Sequence, residues 1–520
     1  MSEQTGYKEQ LQGSETAPRR AVAACILLLI VISGCISWAN YSWHFDGFIL
    51  NDYHEYCQIA RNFAEGRGYS TSVLRPIAYQ FFQTLPQPEV TRMPLYPFFL
   101  SLFFRAFGAS DSIVVLFNSI SYTLLIVVIF LLALELSRSL LLSLSAAIMT
   151  AFLEANIRFT VTAEPNIFYA AALAGFFYYY LLKPDRTFIH GLLLGLLQLI
   201  RANTMFVMAG FFVLLFFQRG SYRQRFTNMG ILVAGIFVAL SPYWLRNYLV
   251  IGKPFFSLYT YSLLLFTNDY PLYTIWTQVT NVDPAAYALS HPAELLQKSY
   301  GFLLFLLSGS VDFYKPLVLI IVAAGTVIRF RDSRLRFIKW TCMVSIIIQT
   351  ILLLPVGPVP YYYMFFFPLL ITVALINAQP LLKRTMPAAL VLFTMIFIYT
   401  TVPYWKSAPQ PNRFREIGEQ VASMTGKNAI ILTDIPWEIA WYADRRAVWL
   451  PYDRATLSLI SGTLKPDFIL LTGASYATYG GDIWKRMLQD PMTARSLGYE
   501  PLTTVQFQGR AMGLVFKSLQ

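Results

Sequence analysis

The sequence predicts a polytopic α-helical membrane protein, and three observations predict it. Of its 520 residues 56% are hydrophobic and 13% charged, whereas charges make up about a quarter of soluble chains. The mean hydropathy is +0.51. Apolar runs long enough to cross a hydrocarbon layer of about 30 Å recur along most of the chain. The net charge of +12 would suggest nucleic acid in a soluble protein, but basic residues also gather in the cytoplasmic loops of membrane proteins, so their positions decide.

Taken in order, the apolar runs fall at 21–39, 112–135, 140–157, 164–182, 188–201, 203–218, 227–247, 313–328, 338–356, 361–378 and 386–403, about eleven spans. No clear small-residue cleavage site follows the first run, which therefore reads as a retained helix behind a polar cytoplasmic tail, residues 1–20. The stretch from His190 to Gln218 is short for two full spans and long for one. A break at Arg201-Ala202-Asn203 divides it, because a charge at mid-bilayer costs at least about 2.5 kcal/mol and far less at an interface or a water-filled cavity.

With the amino terminus inside, the short inner loops hold Arg138; Lys183 and Arg186; Arg219, Arg223 and Arg225; Arg329, Arg331, Arg334, Arg336 and Lys339; and Lys383 with Arg384. Each inner loop is basic, as orientation requires, and nucleic-acid binding becomes an unnecessary hypothesis. The outer segments 40–111 and 248–312 are long, and Asp52 to Ala64, Pro94 to Phe107 and Pro292 to Leu307 have aromatic and aliphatic faces suited to helices lying on the membrane. Cys25, Cys35 and Cys342 fall in hydrophobic segments and only Cys57 faces outside, which leaves no intrachain disulfide framework.

The transmembrane domain is thus expected over 21–404 and a small extracytoplasmic α/β domain over 405–520. In that tail NAIILTD, RRAVWLP and DFILLTG read as strands, PWEIAWYAD and DRATLSLISGTLKP as helices, and TTVQFQG with MGLVFKS as a terminal hairpin. No glycine-rich phosphate loop follows its first strand, so nucleotide binding has no support. Asp434, Glu438 and Asp444 read as solvated or capping residues.

On this topology Asp52, Glu55, Arg92, Glu154, Arg158, Glu164, Arg201, Arg246, Asn268, Asp269 and Asp312 all lie at or beyond the outer ends of helices. Ionisable groups near membrane depth pair or line a water-filled cavity. Arginine recognises phosphate oxygens in bidentate fashion, and a carboxylate can take a hydroxyl proton as general base. Each residue also has a plainer reading. Asp52 can cap the helix that follows it, Glu164 precedes Pro165 at a helix start, and Arg201 and Arg246 can snorkel from helix ends. Tyr361-Tyr362-Tyr363 fits an aromatic belt, and the four histidines show no metal-binding spacing.

The run from Asp52-Tyr53 through the glycine-rich turn EGRGYS to RMPLYPFFL resembles the first outer loop of GT-C glycosyltransferases, in the bacterial branch similar to protein O-mannosyltransferases and lipid A aminoarabinose transferases. Further matches follow in order. RFTVTAEPNIFYAAAL resembles the family's acidic start of the fourth helix, with Glu164. GLLLGLLQLIRANTMFV resembles its glycine-rich helix ending in Arg201. SPYWLRNYLVIGKPFFS resembles its Trp-x-Arg-Asn-Tyr segment, with Trp244, Arg246, Asn247 and Tyr248, and DIPWEIAWYADRRAVWLP resembles its outer tail. The resemblance spans nearly the whole chain.

It implies inverting transfer of a sugar from a polyprenyl-phosphate carrier of the undecaprenyl-phosphate type to an acceptor glycolipid, cell-wall glycan or protein outside the cytoplasm. The protein would be a multi-pass protein of the cell (inner) membrane. Asp52 inherits the role of general base, and Glu164 and Glu55 are the further acids. Arg201, Arg246 and Arg92 would hold the departing phosphate, with Tyr53, Trp244, Asn247, Asn268 and Asp269 lining the cavity. Many relatives carry two adjacent acids in the first loop. Here the neighbour is Asn51, so no cofactor is certain and a divalent cation stays open, with Glu55 about one helical turn away to compensate. A lipid or glycolipid transporter or flippase is the alternative, although coupling acids in such proteins usually sit near the midplane of paired halves. A structural or receptor role, with the tail binding a partner, is the second.

Overall fold

The computed structural model describes residues 18–217, 221–327, 332–474 and 481–519. The amino-terminal tail before residue 18 and the basic residues Arg219, Arg329 and Arg331 lie outside them.

Each predicted apolar run is met by a helix over most of its length. The bundle begins with α1 (Arg19–His44), and the outer segment that follows carries α2 (Asn51–Ala64) and α3 (Leu95–Phe107). Next come α4 (Asp111–Ser137), α5 (Leu140–Ala151), the short α6 (Glu154–Arg158), α7 (Asn166–Leu182), α8 (Thr187–Ile200), α9 (Thr204–Phe216) and α10 (Tyr222–Ile251). The remainder are α11 (Pro292–Tyr314), α12 (Pro316–Val327), α13 (Ser333–Leu353), α14 (Phe367–Leu382) and α15 (Met386–Thr400). Among the described residues six helices are long and apolar enough to cross a membrane, eight if two bent pairs each count as one span, and four further apolar helices are shorter.

Local chemistry explains the punctuation. Arg201 is extended, with φ −150° and ψ 127°, so the chain breaks between α8 and α9 at the charged residue. Ser221 caps α10 by accepting from the Gln224 N–H, and Asp332 caps α13 through the Arg334 N–H at 2.7 Å. The α11–α12 pair bends by 102° at Lys315, which takes φ +68°. Helices α8 and α10 approach backbone to backbone: a Cβ on Gly191 would stand 2.1 Å from the Leu232 carbonyl oxygen, and one on Gly235 would stand 2.2 Å from that of Phe188. Small residues allow such close packing where no hydrophobic force separates helix from lipid.

The tail forms a six-stranded sheet in the order β2-β5-β4-β6-β8-β7. Its members are β2 (Val73–Leu74), β4 (Ile430–Thr433), β5 (Arg446–Trp449), β6 (Phe468–Leu471), β7 (Tyr499–Phe507) and β8 (Arg510–Ser518), while β1 (Ser70–Thr71) and β3 (Gln87–Pro88) pair separately. The predicted strands and terminal hairpin are present. The edge strand β2 was not legible: it comes from the first outer loop and runs parallel to β5, with Val73 opposite Ala447. A two-residue strand has too little alternation to announce itself.

Polar contacts dock the tail on the bundle. The Asp111 carboxylate, at the start of α4, accepts from Arg415 and from the Trp441 indole, each at 2.7 Å, and from the Tyr442 hydroxyl at 3.0 Å. Asp434 corrects its reading as a solvated or capping residue: it is buried and accepts from the Thr472 and Ala474 N–H groups of the loop after β6, which it pins to the end of β4. Glu438 corrects its reading as a solvated or capping residue. It is buried, and burial pushes its carboxyl up to about 8, because Pro436–Glu438 packs against α2.

Candidate active site

The amphipathic helix α2 delivers the site. Asp52 lies in its first turn with its side chain 44% exposed, and Glu55 lies one turn further in at 1%. A helix places i and i+3 on one face, so both carboxylates meet the same guanidinium. Arg92 donates from Nε to Glu55 Oε2 at 2.7 Å and from Nη2 to Asp52. The other Glu55 oxygen accepts from Arg75 at 2.6 Å. Burial pushes Glu55 upward, but Arg75 and Arg92 overcome it and hold the carboxyl below its ordinary value. Both of its oxygens are therefore already taken by arginines.

The second acid arrives from the bundle. Glu164 stands in the segment before α7, outside the helix that begins at Asn166, and accepts from the Asn166 amide at 2.5 Å. Arg201, at the α8–α9 break, donates to the Asn166 side-chain oxygen and stacks over Tyr362 at 5.3 Å. Its buried Nε has no hydrogen-bond partner. Burial first and the charge of Asp52 second raise Glu164 to about 7, against the pull of Arg201 and Arg92. Asp52, Glu164, Arg92 and Arg201 therefore act on one another across a single site.

Tyrosines enclose it. Tyr56 and Tyr259 stack with Arg92 at 4.9 and 5.3 Å, and Tyr53 lies within electrostatic reach of Glu164 and Asp52. Tyr361 and Tyr362, which the sequence explains as an aromatic belt, feel the same two carboxylates. Arg75, Tyr56 and Tyr259 were not singled out from sequence. The signal for Arg75 was a lone charge in the apolar stretch SVLRPIA.

Other candidates stand elsewhere. Arg246 donates to the carbonyl oxygens of Glu89 at 2.6 Å and Tyr69 at 3.1 Å, so its donors hold the first-loop backbone. Asn247 is buried and donates to the Phe256 carbonyl. The Trp244 ring packs between Phe237 and Phe255. Asn268 and Asp269 are exposed, the Asn268 N–H donating to Glu294.

No family model and no curated protein matches the chain. Among solved structures, the oligosaccharyltransferase of Archaeoglobus fulgidus, tethered with an acceptor peptide containing the NVT sequon, has 14% identity and a TM-score of 0.56, covering 94% of this chain and 74% of that one. Its complex with Zn and sulfate gives 13%, 0.55, 90% and 71%. ArnT from Cupriavidus metallidurans bound to undecaprenyl phosphate gives 12% identity and a TM-score of 0.42, covering 94% of this chain and 97% of that one. The chain shares the fold of the archaeal oligosaccharyltransferase.

Proposed function

We propose that this protein is a glycosyltransferase that moves a sugar from a polyprenyl-phosphate carrier to an extracytoplasmic acceptor, with inversion and with Asp52 as general base. The observation that carries this reading is the part-exposed Asp52 carboxylate, aimed by Arg92 in a tyrosine-lined site that also holds Glu164 and Arg201. The fold is shared with an oligosaccharyltransferase seen tethered with an acceptor peptide; the acceptor here is a glycolipid, a cell-wall glycan or a protein. The crossings expected from the sequence, about eleven with the amino terminus inside, would put the site and residues 405–520 outside the cytoplasm, and β2 ties that tail to the loop that bears Asp52.

In the reaction the acceptor hydroxyl gives its proton to Asp52 as its oxygen bonds to the anomeric carbon. The carbon–oxygen bond to the carrier breaks, and its electron pair leaves on the phosphate. Arg201, with a donor unspent, meets that developing charge in a water-poor site where such donors count most. Glu164 orients the acceptor hydroxyl. Arg92 positions Asp52, and Arg246 holds the loop. Among the described residues no three His, Cys, Asp or Glu side chains converge on one point. A divalent cation would therefore rest on the Asp52 and Glu164 carboxylates, and would add positive charge beside the phosphate.

The test is sugar transfer from a radiolabelled polyprenyl-phosphate donor in membranes containing the protein. Asp52→Asn is expected to lower transfer by about 10²- to 10⁴-fold at unchanged protein level. Undiminished transfer overturns the reading.

A further inference from the structure

Arg158 and Lys315 take no part in the chemistry above. Arg158, at the end of α6, donates from Nε to Glu154 at 2.7 Å, and the Lys315 ammonium lies 3.5 Å from the other oxygen of that carboxylate. Glu154 is buried and that second oxygen has no hydrogen bond. The two cationic side chains remain 46% and 30% exposed. Lys315 also donates to the Asp312 carbonyl at 3.0 Å, and among the described residues neither cation has a second carboxylate at ion-pair distance, so one neutralises Glu154 and the other is left without an anionic partner of its own.

Its surroundings say what that charge meets. Lys315 holds φ +68° at the 102° bend between α11 and α12, a conformation that costs a side-chain-bearing residue and persists only where neighbours enforce it. On the two helices that join there, Leu307, Val311, Leu317 and Ile320 are exposed, a lipid-facing apolar border. On the other side Arg158 stacks over Tyr404 at 4.5 Å and acts on Tyr53, which in turn feels Asp52 and Glu164. Cations between lipid-facing apolar surface and a polar site match a lipid headgroup that carries a phosphate.

We infer that Arg158 and Lys315 form a subsite for the phosphate of a lipid headgroup, separate from the phosphate contact assigned to Arg201. The inference rests on the membrane reading of the proposed function but not on Arg201. It is tested on the full chain in neutral phosphatidylcholine nanodiscs, by titrating undecaprenyl phosphate and, separately, phosphatidylglycerol. The Arg158→Gln/Lys315→Gln variant is expected to lose about tenfold in affinity for one probe. Loss for undecaprenyl phosphate identifies the carrier as the occupant, and loss for phosphatidylglycerol identifies another anionic lipid. Glu154→Gln frees both cations, so it should bind that same probe more tightly than the wild type, a gain not expected where Arg158 and Lys315 serve only to neutralise Glu154. Where the double variant does not fold, Lys315→Gln carries the same readout. Wild-type affinity for both probes in a folded variant overturns the subsite, whereas an Arg201→Gln protein with undiminished carrier binding counts against the proposed phosphate contact alone.

Discussion

Asp52 and Glu55 share one guanidinium: Arg92 reaches both carboxylates, and Arg75 closes on Glu55 from the other side. The consequence is a division of labour between two acids three residues apart, one part-exposed and one buried. Removing one member of a buried ion pair strands its partners and costs about 3 to 5 kcal/mol. Glu55→Gln is therefore expected to lower the melting temperature in detergent together with activity. Asp52→Asn should lose transfer with little change in melting. Equal melting of the two variants would contradict this division.

Glu164 sets a pH dependence. Its value of about 7 lies above the ordinary 4.5, so the carboxyl holds its proton below that point and is ionised above it. Orienting an acceptor hydroxyl uses the ionised form, hence wild-type transfer should rise with pH through about 7 and Glu164→Gln should lack that limb. The shift also stabilises the fold in the protonated range. That contribution is complete below about 4.5 and is lost as pH rises through about 7, so melting measured across the window should fall in the wild type and stay level in the variant.

Arg246 bonds backbone carbonyls on both sides of the first-loop turn. Arg246→Lys cannot reproduce a planar two-carbonyl grip and should behave like Arg246→Ala. Limited proteolysis should show cleavage between Tyr69 and Glu89 in both variants, with kcat reduced and the donor KM little changed. A selective rise in donor KM would instead assign Arg246 to the phosphate.

Gly191 sits where a methyl group meets the Leu232 carbonyl. Overpacking of this kind costs about 1 to 3 kcal/mol, so Gly191→Ala should lower the melting temperature. Gly175→Ala on α7, where nothing lies within 4 Å of the added carbon, should leave it unchanged or raised. The pair of variants separates close packing from helix propensity.

Much of this architecture is written locally. Apolar run length places the helices, the charge of Arg201 marks the break between α8 and α9, and short apolar runs between helical patterns announce β4, β5, β6 and the terminal hairpin, because each depends on neighbours a few residues away. That Asp52, Glu164 and Arg201 stand at or near helix ends was likewise readable from position alone. Which of those charges stay available was not. Glu55 is consumed by Arg75 and Arg92, Arg246 by the carbonyls of Tyr69 and Glu89, and Tyr361 and Tyr362 reach Asp52 from some 300 positions along the chain. A buried charge takes whatever partner the packed chain brings within about 3 Å, and that choice is made by contacts distant in sequence, so only the tertiary structure separates the residues that do chemistry from those that hold them in place.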